Sequence, residues 1–93
     1  MFTFEWDANK AQANLAKHKV SFETATTVFG DLHSMTIPDP AHSQGENRFI
    51  ILGRSHDGKL PVVVHTERGD NIRIICARPA SRRERKQYEA AIS

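Results

Sequence analysis

Between Arg48 and Arg78 the chain reads as three strand-like runs separated by two turn signals, and this pattern limits the possible folds more than any other feature. Arg48 to Arg54 (Arg-Phe-Ile-Ile-Leu-Gly-Arg) is the first run, and His56-Asp57-Gly58-Lys59 supplies the Asp-Gly signal of a tight turn. Leu60 to Thr66 follows, with Val62, Val63 and Val64 apolar on both faces. Arg68-Gly69 marks a second turn, and Asn71 to Arg78 is the last run. Three strands joined by two hairpins make an antiparallel meander.

The flanks read as helices. Phe2, Phe4 and Trp6 alternate with polar residues as in a short strand, and Asp7 suits the N-cap of a helix carrying Ala8, Ala11, Leu15 and His18 at helical spacing. Lys19-Val20 breaks it, with Lys17 and His18 placed to neutralise the exposed carbonyls of its last turn. Ser21 caps a second helix with Phe22, Ala25, Val28 and Phe29 on one side, and Gly30 is expected to close it in the left-handed conformation. His33 to Ile37 is a weak strand stopped by Pro38 and Pro40, and Asp39 to Gly45 is a polar loop. After Pro79, Ser81-Arg82-Arg83-Glu84 has the spacing of a capping box, starting a helix to about Ile92 whose apolar stripe is thin. The expected class is α+β: an antiparallel meander with two N-terminal helices and one C-terminal helix. At 93 residues, folding buries only about 60 to 65% of the surface the unfolded chain exposes, so residues 1–93 are read as a single domain.

Composition removes several classes of function. Cys76 is the only cysteine, so the chain holds neither an internal disulfide nor a CxxC knuckle, and Cys76 reads as a small core residue. No apolar run approaches the roughly 20 residues of a membrane span, and Met1 to Asp7 has no basic-then-apolar leader pattern, so the expected compartment is the cytoplasm. His33, His42 and His56 are scattered without the paired spacing of a zinc site, and there is no glycine-rich phosphate loop or GxSxG elbow. No metal and no cofactor are expected.

The formal net charge of +2 averages two unlike halves. Residues 1–47 carry three bases against six acids, a net −3, and residues 48–93 carry ten bases against five acids, a net +5. All eight arginines lie in the second half. A guanidinium presents a planar fork of donors that matches phosphate or carboxylate, so the bias points to a polyanion or an acidic partner. Arg48, Arg54, Arg82, Arg83, Arg85 and Lys86 are the candidate RNA-binding residues. A basic helix N-terminus opposes the helix dipole, and phosphate contact is its simplest use; a solvated basic face and an acidic protein partner are the other readings.

A two-residue loop at Arg68-Gly69 is expected to set Thr66 opposite Asn71, His65 opposite Ile72 and Val64 opposite Arg73. Alternation then groups Val63, His65 and Glu67 with Ile72, Ile74, Cys76 and, further along, Arg78. Val62, Val64, Arg73, Ile75 and Ala77 share the other face. A histidine, a carboxylate and guanidiniums on one sheet meet the needs of RNA cleavage without a metal: a base for the 2′-hydroxyl, charges for the phosphorane and an acid for the leaving 5′-oxygen. The catalytic candidates are His65, Glu67, Arg73 and Arg78. Taken alone, a strand histidine between valines is more often a hydrogen-bonded core residue. Asn9, Asn14 and the Asp39 to Glu46 loop are further possible substrate contacts, without a spacing that argues for them.

Phe4-Glu5-Trp6-Asp7, Lys10, Asn14-Leu15, Lys17-His18, Val20-Ser21-Phe22 and Ala25 resemble the N-terminal signature of the BrnT toxins of bacterial toxin–antitoxin pairs. The resemblance continues through Arg48-Phe49, Gly53-Arg54-Ser55, Val64-His65-Thr66-Glu67-Arg68, Ile72-Arg73-Ile74-Ile75 and Ala77-Arg78, then Ala80 to Arg85 and Tyr88-Glu89. It implies a RelE-like fold in which helices cover one face of an antiparallel sheet, and a metal-independent endoribonuclease that inhibits translation. It also implies neutralisation by a cognate, BrnA-like ribbon-helix-helix antitoxin, contact with operator DNA only through that antitoxin, and a dimer or heterotetramer. The alternative is a non-catalytic module that binds nucleic acid or the antitoxin.

Overall fold

The structure, a computed structural model, describes residues 2–40 and 45–92. His42 and most of the expected polar loop fall on residues 41–44, outside the described residues. The elements run β1 (Thr3–Glu5), α1 (Ala8–His18), α2 (Phe22–Thr27) continued by a 3-10 turn (Val28–Gly30), β2 (Met35–Pro38), β3 (Arg48–Leu52), β4 (Pro61–Arg68), β5 (Asn71–Pro79) and α3 (Arg82–Ile92). Five strands form one sheet in the order β1-β5-β4-β3-β2. The meander is present, and the weak strand joins it as β2, antiparallel to β3 at the sheet edge, where Pro38 loses no ladder bond it must make. The sheet is mixed, because β1 pairs with β5 in parallel, Phe4 beside Ile72.

The local helix signals act as expected. The Asp7 side chain accepts from the Lys10 N–H and that of Ser21 from the Thr24 N–H. At α3, Ser81 and Glu84 close the capping box reciprocally, at 2.8 and 3.2 Å. The left-handed residue is not Gly30 but Lys19, with φ 62°, which ends α1 and turns the chain into α2. Gly30 ends a 3-10 turn instead, because the α2 segment tightens before its last residues.

The apolar residues divide between the two faces of the sheet. On one, α1 and α2 cover Ile51, Val63, Ile72, Ile74 and Ala77 with Val20, Phe22, Ala25 and Val28. On the other, Tyr88 of α3 packs on Leu52, Leu60 and Val62. The expectation that helices cover one face therefore holds only for the two N-terminal helices.

α1 is seated by a polar contact, not by its apolar residues. Leu15, expected on the buried side, is exposed, and the buried residue is Asn14. β1 stops at Glu5, beside Arg73, which leaves the outer edge of β5 bare beyond that point. Asn14 fills it: its Nδ2 donates to the carbonyls of Ala77 (2.8 Å) and Val20 (2.9 Å), and its Oδ1 accepts from the Ala77 N–H (3.1 Å). A side-chain amide thus completes the strand edge as a further strand would. Asn14 is structural and contacts no open surface.

α3 is held mainly by polar groups, Tyr88 being its one buried side chain. Arg78 makes a two-pronged contact with Glu84, at 2.8 and 2.9 Å. The Tyr88 hydroxyl donates to Asp31, whose carboxylate also accepts from the N–H groups of His33 and Arg54. The Arg78 guanidinium, with Ser81, holds the Glu84 carboxyl down to about 2 against the partial opposition of burial. Burial pushes the Asp31 carboxyl up, but the hydrogen bonds from Arg54, Tyr88 and His33 outweigh it and leave the group below its ordinary range.

Asn14→Ala strands the Ala77 and Val20 backbone groups in the interior and should destabilise the fold by roughly 2–4 kcal/mol, read from the urea midpoint. The Asp31 and Glu84 carboxyls both titrate lower when folded, so their stabilisation is complete above about pH 4.5 and is lost as the pH falls toward 2. Amide exchange in α3 should accelerate across that window ahead of β4 and β5, and Glu84→Gln should flatten the dependence.

Candidate functional site

The β4–β5 hairpin decides which charged side chains share a surface. Its loop is Gly69-Asp70, so Arg68 pairs with Asn71, Thr66 with Arg73 and His65 with Ile74. This register differs from the expected one by two residues, an even number, so His65, Glu67, Ile72 and Ile74 still share a face. A β-bulge then intervenes: the register shifts between Val64 and His65, and Val64 pairs with Cys76 and Val62 with Arg78. The extra residue on β5 turns Ala77 toward the helices and carries Cys76 and Arg78 to the opposite side. Cys76 is accordingly half-buried and does not join the core with Ile72 and Ile74. Arg78 does not share a face with His65, as alternation alone required.

The four catalytic candidates separate into two pairs. His65 lies under the N-terminal helices with no exposed surface, its ring edge-on to Phe29 at 4.8 Å and stacked on Phe49 at 5.9 Å. Its Nε2 is 2.9 Å from Glu67 Oε2, while Nδ1 has no partner among the described residues. Glu67 is half exposed and is the one polar contact of the buried imidazole among the described residues. Arg73 and Arg78 stand on the other face, Arg78 occupied by Glu84.

Around Arg73 that face is basic. The pairing lines up Arg48, Thr66 and Arg73 across β3, β4 and β5, beyond the part of the sheet that α3 covers. A small cleft of about 110 Å³ is lined by Lys10, Arg48 and Arg73 together with Asp7, Ile74 and Ile75. Asp7, whose carboxylate accepts from the Lys10 N–H as the cap of α1, borders the cleft beside the three cations. Thr66 is buried beneath the row, its hydroxyl without a partner among the described residues. Glu46 borders the row, accepting from Arg73 at 2.5 Å and from Arg68 at 3.1 Å. This arrangement fits an anion bearing several oxygens, since guanidiniums and a lysine converge on one small opening.

The remaining basic candidates do not line this cleft. Arg54 donates to the Gly58 carbonyl and lies 5.5 Å over the Tyr88 ring, fastening the β3–β4 turn to α3. Arg82, Arg83, Arg85 and Lys86 lie on the first turns of α3; Arg85 borders a separate groove with Lys19 and Lys59. Sequence reasoning missed Lys10 as a site residue and named Glu46 only within the Asp39 to Glu46 loop of possible substrate contacts. Lys10 reaches the cleft only because β1 pairs with β5, a contact without a local signal. Glu46 lies in a bend before β3, where strand alternation does not apply, so no local pattern singles it out. Among the described residues, no group of three or more His, Cys, Asp or Glu is placed to hold a metal, and no helix is long and apolar enough to cross a membrane.

Comparison with known proteins agrees with this architecture. The crystal structure of the Brucella abortus ribonuclease toxin BrnT superposes with a TM-score of 0.67 at 22% identity, over 88% of this chain and all of that one. No curated protein sequence matches the chain. The model of one family, described as the ribonuclease toxin BrnT of type II toxin–antitoxin systems, matches residues 6–84, a span that holds Lys10, Asn14, the whole sheet after β1 and the start of α3. The chain therefore belongs to the BrnT family of ribonuclease toxins.

Proposed function

We propose that this chain is an endoribonuclease that cleaves RNA without a metal ion in the cytoplasm, with the cleft of Lys10, Arg48 and Arg73 as the seat of an RNA phosphate. The observation that carries this is the convergence of three cations on one small opening of the uncovered sheet face. Attack of a 2′-hydroxyl on the neighbouring phosphorus puts a second negative charge on the phosphorane, and donors fixed in advance by the sheet stabilise that charge without reorganising. Arg73 is the principal group: it is held between two strands, pairing with Glu5 of β1 and Thr66 of β4. The buried His65 holds the Glu67 carboxylate on the face opposite this cleft, so the pair supports the strand end and does not transfer a proton at the phosphate seated there. Arg78 supports the face of the cleft indirectly by fixing α3. The basic start of α3, Arg82 to Lys86, serves either a distal stretch of RNA or an acidic segment of a cognate antitoxin, for which a BrnA-like ribbon-helix-helix protein is the natural candidate. Cleavage of messenger RNA would inhibit translation, and the antitoxin would neutralise it and provide the contact with operator DNA.

The purified protein incubated with RNA and EDTA should yield cleavage products. Arg73→Ala should lower kcat by about 10²- to 10³-fold with the fold intact by circular dichroism. His65→Ala and Glu67→Gln should act mainly through stability, lowering the urea midpoint more than kcat. Absence of products from the unmodified chain, or an undiminished rate in Arg73→Ala, would overturn the assignment.

A further inference from the structure

We infer that Glu46 is a built-in occupant of the anion site, a carboxylate that holds the Arg68–Arg73 pair until an RNA phosphate displaces it. This role rests on the proposed RNA-binding face and adds to it a residue that sets the affinity. Glu46 lies in a bend two residues before β3, and its contacts with Arg73 and Arg68 set its carboxylate against the arginine row. One of its oxygens accepts from the Arg73 guanidinium at 2.5 Å and the other from that of Arg68 at 3.1 Å. A carboxylate offers a guanidinium the same pair of oxygens that a phosphate does, so both ligands compete for the same donors.

The exposure of the three groups decides whether such an exchange is feasible. The side chains of Arg68, Arg73 and Glu46 are 66%, 40% and 26% accessible, so both ion pairs are solvated and screened and are readily exchanged. A phosphate brings more oxygens than the carboxylate and reaches Arg73 from the cleft that Lys10 and Arg48 also line. Displacement frees Glu46 into solvent and leaves two arginines for the nucleic acid. If Glu46 served only to position the arginines, its removal would weaken binding; as a competitor, its removal strengthens binding. The sign of one measurement separates the two.

The experiment compares the unmodified chain, Glu46→Gln and Glu46→Ala in binding a short 2′-O-methyl RNA, which lacks the attacking hydroxyl, and pyrophosphate. Both variants should bind the RNA about three- to tenfold more tightly at low salt. The dependence of log affinity on log salt should steepen by about 0.7 for each additional phosphate contact. Adding Arg73→Ala to Glu46→Gln should abolish the gain. Affinity equal to or weaker than that of the unmodified chain for both probes overturns the proposal. A gain for pyrophosphate with no RNA binding by any of the three proteins would retain the competition at the anion site and discard the RNA reading. Failure of every protein to bind either probe would overturn both.

Discussion

The Asn14 amide at the edge of β5 is the contact on which the rest of the arrangement depends. β5 is bordered by β4 along its whole length but by β1 only at its start, and the backbone of Ala77 would otherwise face the interior unpaired. Three hydrogen bonds from one side chain close that gap and fix both the axial position and the rotation of α1. Lys10 lies four residues before Asn14, one helical turn away on the same side, so the clamp that satisfies a backbone edge also sets a cation against Arg73 and Ile75. Stability and electrostatics are therefore coupled through a neutral residue.

What could be read from the sequence is what local chemistry determines. Asp7, Ser21 and the Ser81–Glu84 box mark the helix starts because each cap closes within three residues. The strands and their alternation followed from the apolar pattern, and parity kept His65 with Ile72 and Ile74 even though the expected pairing was two residues out of register. The bulge had no such signature. Ile74-Ile75-Cys76-Ala77 carries no glycine or proline to mark an extra residue, and one residue was enough to move Arg78 across the sheet. Asn14 was illegible for the opposite reason: on a helix it looks like an ordinary polar residue, and its partner is 63 positions away.

The sheet acts as a partition. Its covered side takes the apolar mass and the wholly buried His65, whose polar contact is Glu67 at the strand end. Its other side is covered only where Tyr88 and Leu52 meet, and the remainder carries arginines over a floor of β-branched residues. Long basic side chains can lie along such a floor with their charged ends in water, which lets a small protein concentrate positive potential without a deep pocket. The acidic first half of the sequence is put to several uses: Asp7 caps α1, Glu23 stands in the first turn of α2, and Glu46 meets the basic row.

The parallel pairing of β1 with β5 also bears on when the protein becomes competent. Thr3 meets Asn71, and Lys10 comes to line one cleft with Arg73, only after the segments between them have been made. Contacts this distant in sequence are the slow, late ones in folding, whereas the β3–β4 and β4–β5 hairpins form locally. A chain still being synthesised therefore gains its first hairpin before the cleft of Lys10, Arg48 and Arg73 can form. For a ribonuclease born on a messenger RNA, topology itself delays the assembly of the cleft until the strand that carries Arg73 has left the ribosome.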